Sequence, residues 1–150
     1  MKKTIFLLFT IFASITFYQC GPKTDDKVAV GGYDVVSYYS TDGPVKGNET
    51  FTTDIKGKTY YFSNKESLNE FTNNPDKYIP QYGGYCAYAV AEKKIKMGVD
   101  PEVYEIRDGK LYLFYNSFFA NKLTDWQEGD TKALQAKGDK NWEEMKNSDK

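Results

Sequence analysis

Asp108-Gly109 lies between two runs of alternating hydrophobic residues, and this feature limits the fold of the chain most firmly. A two-residue hairpin turn of type I′ needs positive φ at both positions, and Asp-Gly takes that shape with little strain. Val103 to Arg107 and Lys110 to Tyr115 are therefore predicted to pair as antiparallel strands. The second strand places Leu111, Leu113 and Tyr115 on one face and Tyr112 and Phe114 on the other. Such a strand is normally covered on both sides, so an open side would be a binding surface. A second hairpin is predicted from Thr50 to Phe62 about Lys56-Gly57-Lys58. There Phe51 and Ile55, and Tyr60 and Phe62, keep the even spacing that one face requires.

Helical signals fill the intervals. Ser63-Asn64-Lys65-Glu66 reads as a capping box in which Ser63 and Glu66 satisfy free amides. Leu68 and Phe71 follow on one face, and Asn73-Asn74-Pro75 stops that helix. Tyr85 to Lys93 reads as a second helix opened by Gly83-Gly84. Asn116 is the expected cap of a third, with Phe118, Phe119, Leu123 and Trp126 as its apolar residues. A fourth, about 131–146, sets Leu134, Trp142 and Met145 against lysines and acids. No internal repeat or low-complexity tract is evident. The expected fold class is α+β, a small antiparallel sheet of two β-hairpins packed with three to four helices.

The N-terminus reads as a targeting segment. Lys2-Lys3 is a basic start, and Ile5 to Tyr18 is apolar but for Thr10, Ser14 and Thr16. About 14 residues fall short of the roughly 20 that span a bilayer and suit the core of a secretory signal. The run stops at Gln19-Cys20-Gly21, where a cysteine looks like a bacterial lipoprotein cleavage site, although Phe17 and Gln19 replace the usual leucine and small residue. The expected organisation is a signal peptide over 1–19, lipidation at Cys20, a tether over 20–27, a domain over 28–146 and a frayed tail over 147–150. Loss of Lys2 and Lys3 with the leader moves the formal net charge from -1 to -3. So balanced a chain carries no strong field toward nucleic acid.

The chain contains no histidine. That excludes a Ser-His-Asp or Cys-His couple, a His-ligated zinc and a histidine proton shuttle. Paired catalytic acids, a phosphate loop and a nucleotide fingerprint are equally missing. Thirteen tyrosines supply instead rings that are apolar at the face and polar at the tip.

Gly32-Tyr33-Asp34, Pro44-Val45-Lys46-Gly47, Tyr60-Tyr61-Phe62, Pro75-Asp76-Lys77-Tyr78, Gln81-Tyr82-Gly83-Gly84-Tyr85-Cys86-Ala87, Asp100-Pro101 and Asp108-Gly109-Lys110-Leu111-Tyr112-Leu113 form one ordered set. In that order and spacing the chain, from about Gly32 to Trp142, resembles the YHS domain family and its exported bacterial members. The resemblance implies a domain associated with metal handling. The metal-associated members would carry cysteines where this chain has Ser63 and Ser67, and a histidine near Tyr61, so the ligands that serve them are replaced here.

The expected function is a non-enzymatic, lipid-anchored module of the bacterial cell envelope. It would bind a small molecule or an envelope protein through an aromatic, glycine-flanked groove. Tyr33, Asp34, Tyr82, Tyr85 and Cys86 are its candidate residues, because glycines let backbones approach a ligand or a packing corner closely. Asp34 reads also as a turn cap, and Cys86 as a small residue packed in a core. The alternative is a metal-binding or sensing protein in which the Cys86 thiolate, at a helix N-terminus and beside the soft donor Met97, holds a copper-type ion.

Overall fold

The computed structural model describes residues 27–148. The expected leader, the expected lipidation residue Cys20 and the expected tether up to Asp26 lie outside the described residues, as do Asp149 and Lys150. The fold is α+β: three small two-stranded antiparallel sheets and five α-helices. The chain enters through a 3-10 turn, Ala29–Gly32, in which Val30, Gly31 and Gly32 take φ of 49°, 58° and 80°. Strands β1 (Asn48–Ile55) and β2 (Lys58–Phe62) form the first hairpin, turning at Lys56 and Gly57 with φ of 52° and 77°. Helices α1 (Lys65–Asn73) and α2 (Pro75–Tyr78) follow, the second opened by the proline at its first position, where no amide is needed.

A second 3-10 turn, Gln81–Gly84, gives Tyr82, Gly83 and Gly84 φ of 54°, 64° and 82°. Helix α3 (Ala87–Lys93) precedes the second hairpin, β3 (Asp100–Arg107) and β4 (Lys110–Phe114), which turns at Asp108 and Gly109 with φ of 51° and 70°. A minimal hairpin, β5 (Asn116–Ser117) and β6 (Ala120–Asn121), leads into α4 (Lys122–Glu128), and α5 (Thr131–Ser148) closes the chain.

These landmarks recur at a constant separation of 52 residues. Gly31, Gly32 and Tyr33 correspond to Gly83, Gly84 and Tyr85, with matching dihedral angles. Strands β1 and β2 correspond residue for residue to β3 and β4. Both hairpins carry the same irregularity: pairing runs from Ile55↔Lys58 to Thr52↔Tyr61 and then shifts to Asn48↔Phe62, as it runs from Arg107↔Lys110 to Tyr104↔Leu113 and shifts to Asp100↔Phe114. Even one loop bond is repeated, the Asp34 amide donating to Val45 O at 2.9 Å and the Cys86 amide to Met97 O at 2.9 Å. The expectation that no internal repeat exists is thus corrected at the level of the backbone. Gly57, Lys58, Tyr60 and Phe62 recur as Gly109, Lys110, Tyr112 and Phe114, yet the intervening residues differ enough to hide the period.

The copies diverge where each second strand meets its helix. Asn64 follows β2 almost directly and caps α1, its side chain accepting from the Ser67 amide at 2.9 Å. The expected box between Ser63 and Glu66 is therefore shifted by one residue, because the Ser63 hydroxyl is committed elsewhere. In the second copy the cap is Asn121, whose side chain accepts from the Leu123 amide at 3.0 Å. It follows Asn64 by 57 residues, five more than the period. The β5–β6 hairpin takes up the difference. Asn116 is thus a strand residue and not a helix cap, and Phe118 and Phe119 leave the predicted helix face for the turn. The helix begins at Lys122, where Asn121 offers the capping oxygen.

Strand β4 is covered on both sides, so neither of its faces is an open binding surface. Tyr112 and Phe114 pack with Tyr82, Val90 and Trp126, while Leu111 and Leu113 pack with Tyr38. A third cluster gathers Val35, Tyr60, Phe62, Phe71 and Tyr78 around the first hairpin. Helix α5 lays Leu134, Trp142 and Met145 on the second-copy cluster, as their spacing predicts, and runs on through Asn147 to Ser148.

Candidate functional site

Asp34 is the one fully buried carboxylate among the described residues. Extended backbone at Tyr33 aims it inward. Oδ1 accepts from the Val36 amide at 2.9 Å, and Oδ2 accepts from the Ser63 amide at 2.9 Å and the Ser63 hydroxyl at 2.7 Å. Its main-chain oxygen accepts from the Ser37 hydroxyl at 2.6 Å, and that hydroxyl accepts from the Val45 amide at 3.0 Å. A buried carboxylate is tolerated when such donors replace its water. Asp34 therefore caps its turn, as the sequence suggests, and also ties that turn to the end of β2. Tyr33 stands outside this network, half-buried. Its hydroxyl donates to Glu102 Oε1 at 2.7 Å and Lys46 Nζ sits 4.4 Å from its ring centre. The bond to Glu102 raises the Tyr33 pKa above its ordinary value.

Tyr82 and Cys86 are also buried, and Tyr85 is half-buried. The Tyr82 hydroxyl donates to Asp139 Oδ1 at 2.9 Å and lies 3.2 Å from Gln135 O. Its ring runs over Gly138, where a Cβ atom would lie 2.7 Å from the Tyr82 oxygen. Burial first, then the Asp139 carboxylate, raises the Tyr82 pKa. Trp142 spans the two tyrosines, its ring centre 6.3 Å from that of Tyr82 and 6.2 Å from that of Tyr85. Tyr82 reaches Tyr112 at 5.8 Å and Tyr112 reaches Trp126 at 5.7 Å, so these rings form a continuous packed stack. Tyr33 packs with the Tyr38 cluster and Tyr82 and Tyr85 with the Trp126 cluster. The glycine turns therefore set their tyrosines into separate parts of the core.

Cys86 occupies the N-cap position of α3 with its side chain fully buried. Met97 is its neighbour through the backbone bond already described, a bond that the Asp34 copy makes with Val45. That proximity is thus part of the repeated backbone plan. Among the described residues no group of three or more His, Cys, Asp or Glu side chains is placed to hold a metal ion. The Ser63 hydroxyl donates to Asp34, and the Ser67 backbone amide donates to the Asn64 side chain.

An open cleft of about 300 Å³ lies elsewhere, where α3, α4 and α5 meet. Tyr88 and Glu92 line it from α3, Asp125 from α4, Gly129 and Asp130 from the loop, and Ala133, Leu134 and Lys137 from α5. Lys137 Nζ lies 2.9 Å from Glu92 Oε1. Lys122 Nζ lies 2.5 Å from Asp125 Oδ2 and 5.3 Å from the Tyr88 ring centre. Charge of both signs thus rims an aromatic and aliphatic floor, an arrangement suited to a small polar molecule with an apolar part. None of the five residues singled out from the sequence lines this cleft. Its residues come from three separate helices and carry no local motif, so no sequence signal gathers them.

Among the described residues no helix is long and apolar enough to cross a membrane. No family model, no curated protein and no solved structure matches this chain.

Proposed function

We propose that this chain is an exported, lipid-tethered, YHS-like module of the bacterial cell envelope that binds a small polar ligand without transforming it. The observation that carries the ligand-binding part is the cleft between α3, α4 and α5, with its ion-paired rim and its Tyr88 and Leu134 floor. Support for the non-enzymatic part comes from the groups with reactive chemistry. The Asp34 oxygens are engaged by three donors, the Cys86 thiol is buried, and the chain has no histidine to act as a base. Support for export and tethering comes from the basic start, the apolar run from Ile5 to Tyr18, and Cys20.

The test is thermal melting of the full chain against a panel of small polar metabolites, repeated with Ala133→Trp. Ala133 is exposed and lines the cleft, so an indole there fills the space without entering the core. A ligand that raises the melting temperature of the parent and loses that effect in the variant supports the reading. A panel that leaves the parent unmoved, or an effect that survives Ala133→Trp, rejects the cleft as the site.

A further inference from the structure

We infer that the Phe118–Phe119 hairpin tip is a membrane-contacting element that enters the headgroup boundary of the bilayer carrying the chain; this rests on the reading of the chain as lipid-tethered. The two rings are 94% and 93% exposed, while the next most exposed large apolar side chains, Ile95 and Val45, reach 41% and 40%. They meet edge to face, with centres 5.0 Å apart. Fully exposed paired phenylalanines leave a large apolar area in water, and burying it is favourable.

The tip is an addition to the repeated plan. In the first copy β2 passes through Ser63 and Asn64 straight into α1, so the fold closes a strand onto a helix without any such excursion. In the second copy the added residues are paired as Asn116↔Asn121 and Ser117↔Ala120, which fixes Phe118 and Phe119 at the turn. The base is pinned by the Lys122 amide donating to Tyr115 O at 3.0 Å and by Asn116 Nδ2 donating to Asp100 Oδ2 at 3.1 Å. Tyr115 to Asn121 carries no charge, in a chain of which 27% is charged. The tip itself therefore brings no charge toward the lipid, the nearest charged residues, Asp100 and Lys122, standing at its base.

Two observations select a bilayer over a protein partner. The first is area. Two phenylalanine rings offer roughly 300–500 Å², well below the roughly 800 Å² that each side of a stable protein interface buries. An apolar tip of that size suffices to add to an existing lipid anchor. The second is position. Asp100, which holds the hairpin base, precedes Pro101, whose Cγ lies 3.5 Å from where a Cβ on Gly31 would stand. From Lys27, whose oxygen accepts from the Thr59 amide, back to Cys20 the chain can reach at most roughly 25 Å, so a bilayer holding Cys20 stays close to this side of the domain. Two attachments would fix which way the domain faces.

The experiment uses the full chain carrying Phe119→Trp. It is purified in detergent and reconstituted into vesicles of phosphatidylethanolamine and phosphatidylglycerol with brominated acyl chains. Flotation reports membrane attachment, and bromine quenching of the emission added over the parent, whose own signal comes from Trp126 and Trp142, reports the tip. The expected result is flotation with loss of most of the added emission. Flotation without that loss overturns the inference and leaves the tether standing. Quenching without stable flotation upholds the tip and counts against the tether. Neither effect overturns both. A parent that sediments as a dimer in detergent, and as a monomer once changed to Phe118→Ser and Phe119→Ser, assigns the tip to a second copy and also overturns the inference. Unchanged melting of the exposed-site variants confirms that each result is read from folded protein.

Discussion

Cys86 stands in the second hairpin unit where Asp34 stands in the first, 52 residues later and with the same backbone bond across its loop. One copy fills the position with a carboxylate held by three donors, the other with a fully buried thiol. A thiol without solvent access is inert whatever its intrinsic chemistry. Cys86 should therefore resist a thiol reagent in the native chain and react at rates that rise with urea, in step with opening. Fast labelling without denaturant would show the pocket around Cys86 to be open.

Asp34→Asn turns one carboxylate oxygen into an NH2 group, which sets its hydrogens against either the Val36 amide or the two Ser63 donors. Breaking a buried, charge-assisted network of this kind costs about 2–4 kcal/mol. Ser63→Ala removes one donor and leaves the other two, so about 1–2 kcal/mol is expected. Urea unfolding of both variants checks the order. A larger loss in Ser63→Ala than in Asp34→Asn would contradict the geometry described.

Gly138→Ala should destabilise the chain although alanine is the better helix former. The added methyl meets the Tyr82 oxygen at 2.7 Å, and overpacking of this kind costs about 1–3 kcal/mol, against a helix gain of at most about 1 kcal/mol. Tyr82→Phe in the same chain removes the atom in conflict and should recover part of the loss. Thermal melting of the single and double variants measures the coupling.

Alkali should destabilise the protein through its buried tyrosines. Burial pushes the Tyr39 and Tyr112 hydroxyls up to about 12, and raises those of Tyr38 and Tyr82 further. In the unfolded chain all four lose their protons near the ordinary value of about 10. The folded state then holds more protons than the unfolded one, so stability is complete below about pH 10 and falls as pH rises through the folded values. Melting temperature followed from neutral pH upward should hold level and then drop beyond about pH 10. A flat profile to about pH 12 would mean that these rings ionise in place.

Cys20 should incorporate labelled palmitate when the full chain is made in a bacterial host, and Cys20→Ser should not. Equal labelling of the two would reject lipidation at this residue while leaving the folded body untouched.

The hairpins were legible because turn chemistry is local: Asp108-Gly109 and Lys56-Gly57 declare themselves within two residues. The faces of β4 and the apolar side of α5 were legible through periodicity. Phe118 and Phe119 were not, since their spacing to Leu123 and Trp126 mimics one face of a helix, and only the choice of Asn121 over Asn116 as cap separates the alternatives. The duplicated plan stayed hidden because it is held by dihedral angles and pairing register more than by residue identity. As for the candidate site, Asp34 was recognisable as a cap but not as a partner of Ser63, a contact made across the fold. The cleft was beyond reach altogether, assembled as it is from three helices that share no motif.

The notch at Gly138 has a bearing on how the protein is completed. Helix α5 follows every other described element in the chain, and it supplies the groove that receives Tyr82 and the indole that roofs Tyr85. Until it docks, the rings of the second hairpin unit remain wet and adhesive. Chains clipped ahead of Thr131 would thus be sticky fragments rather than smaller working proteins.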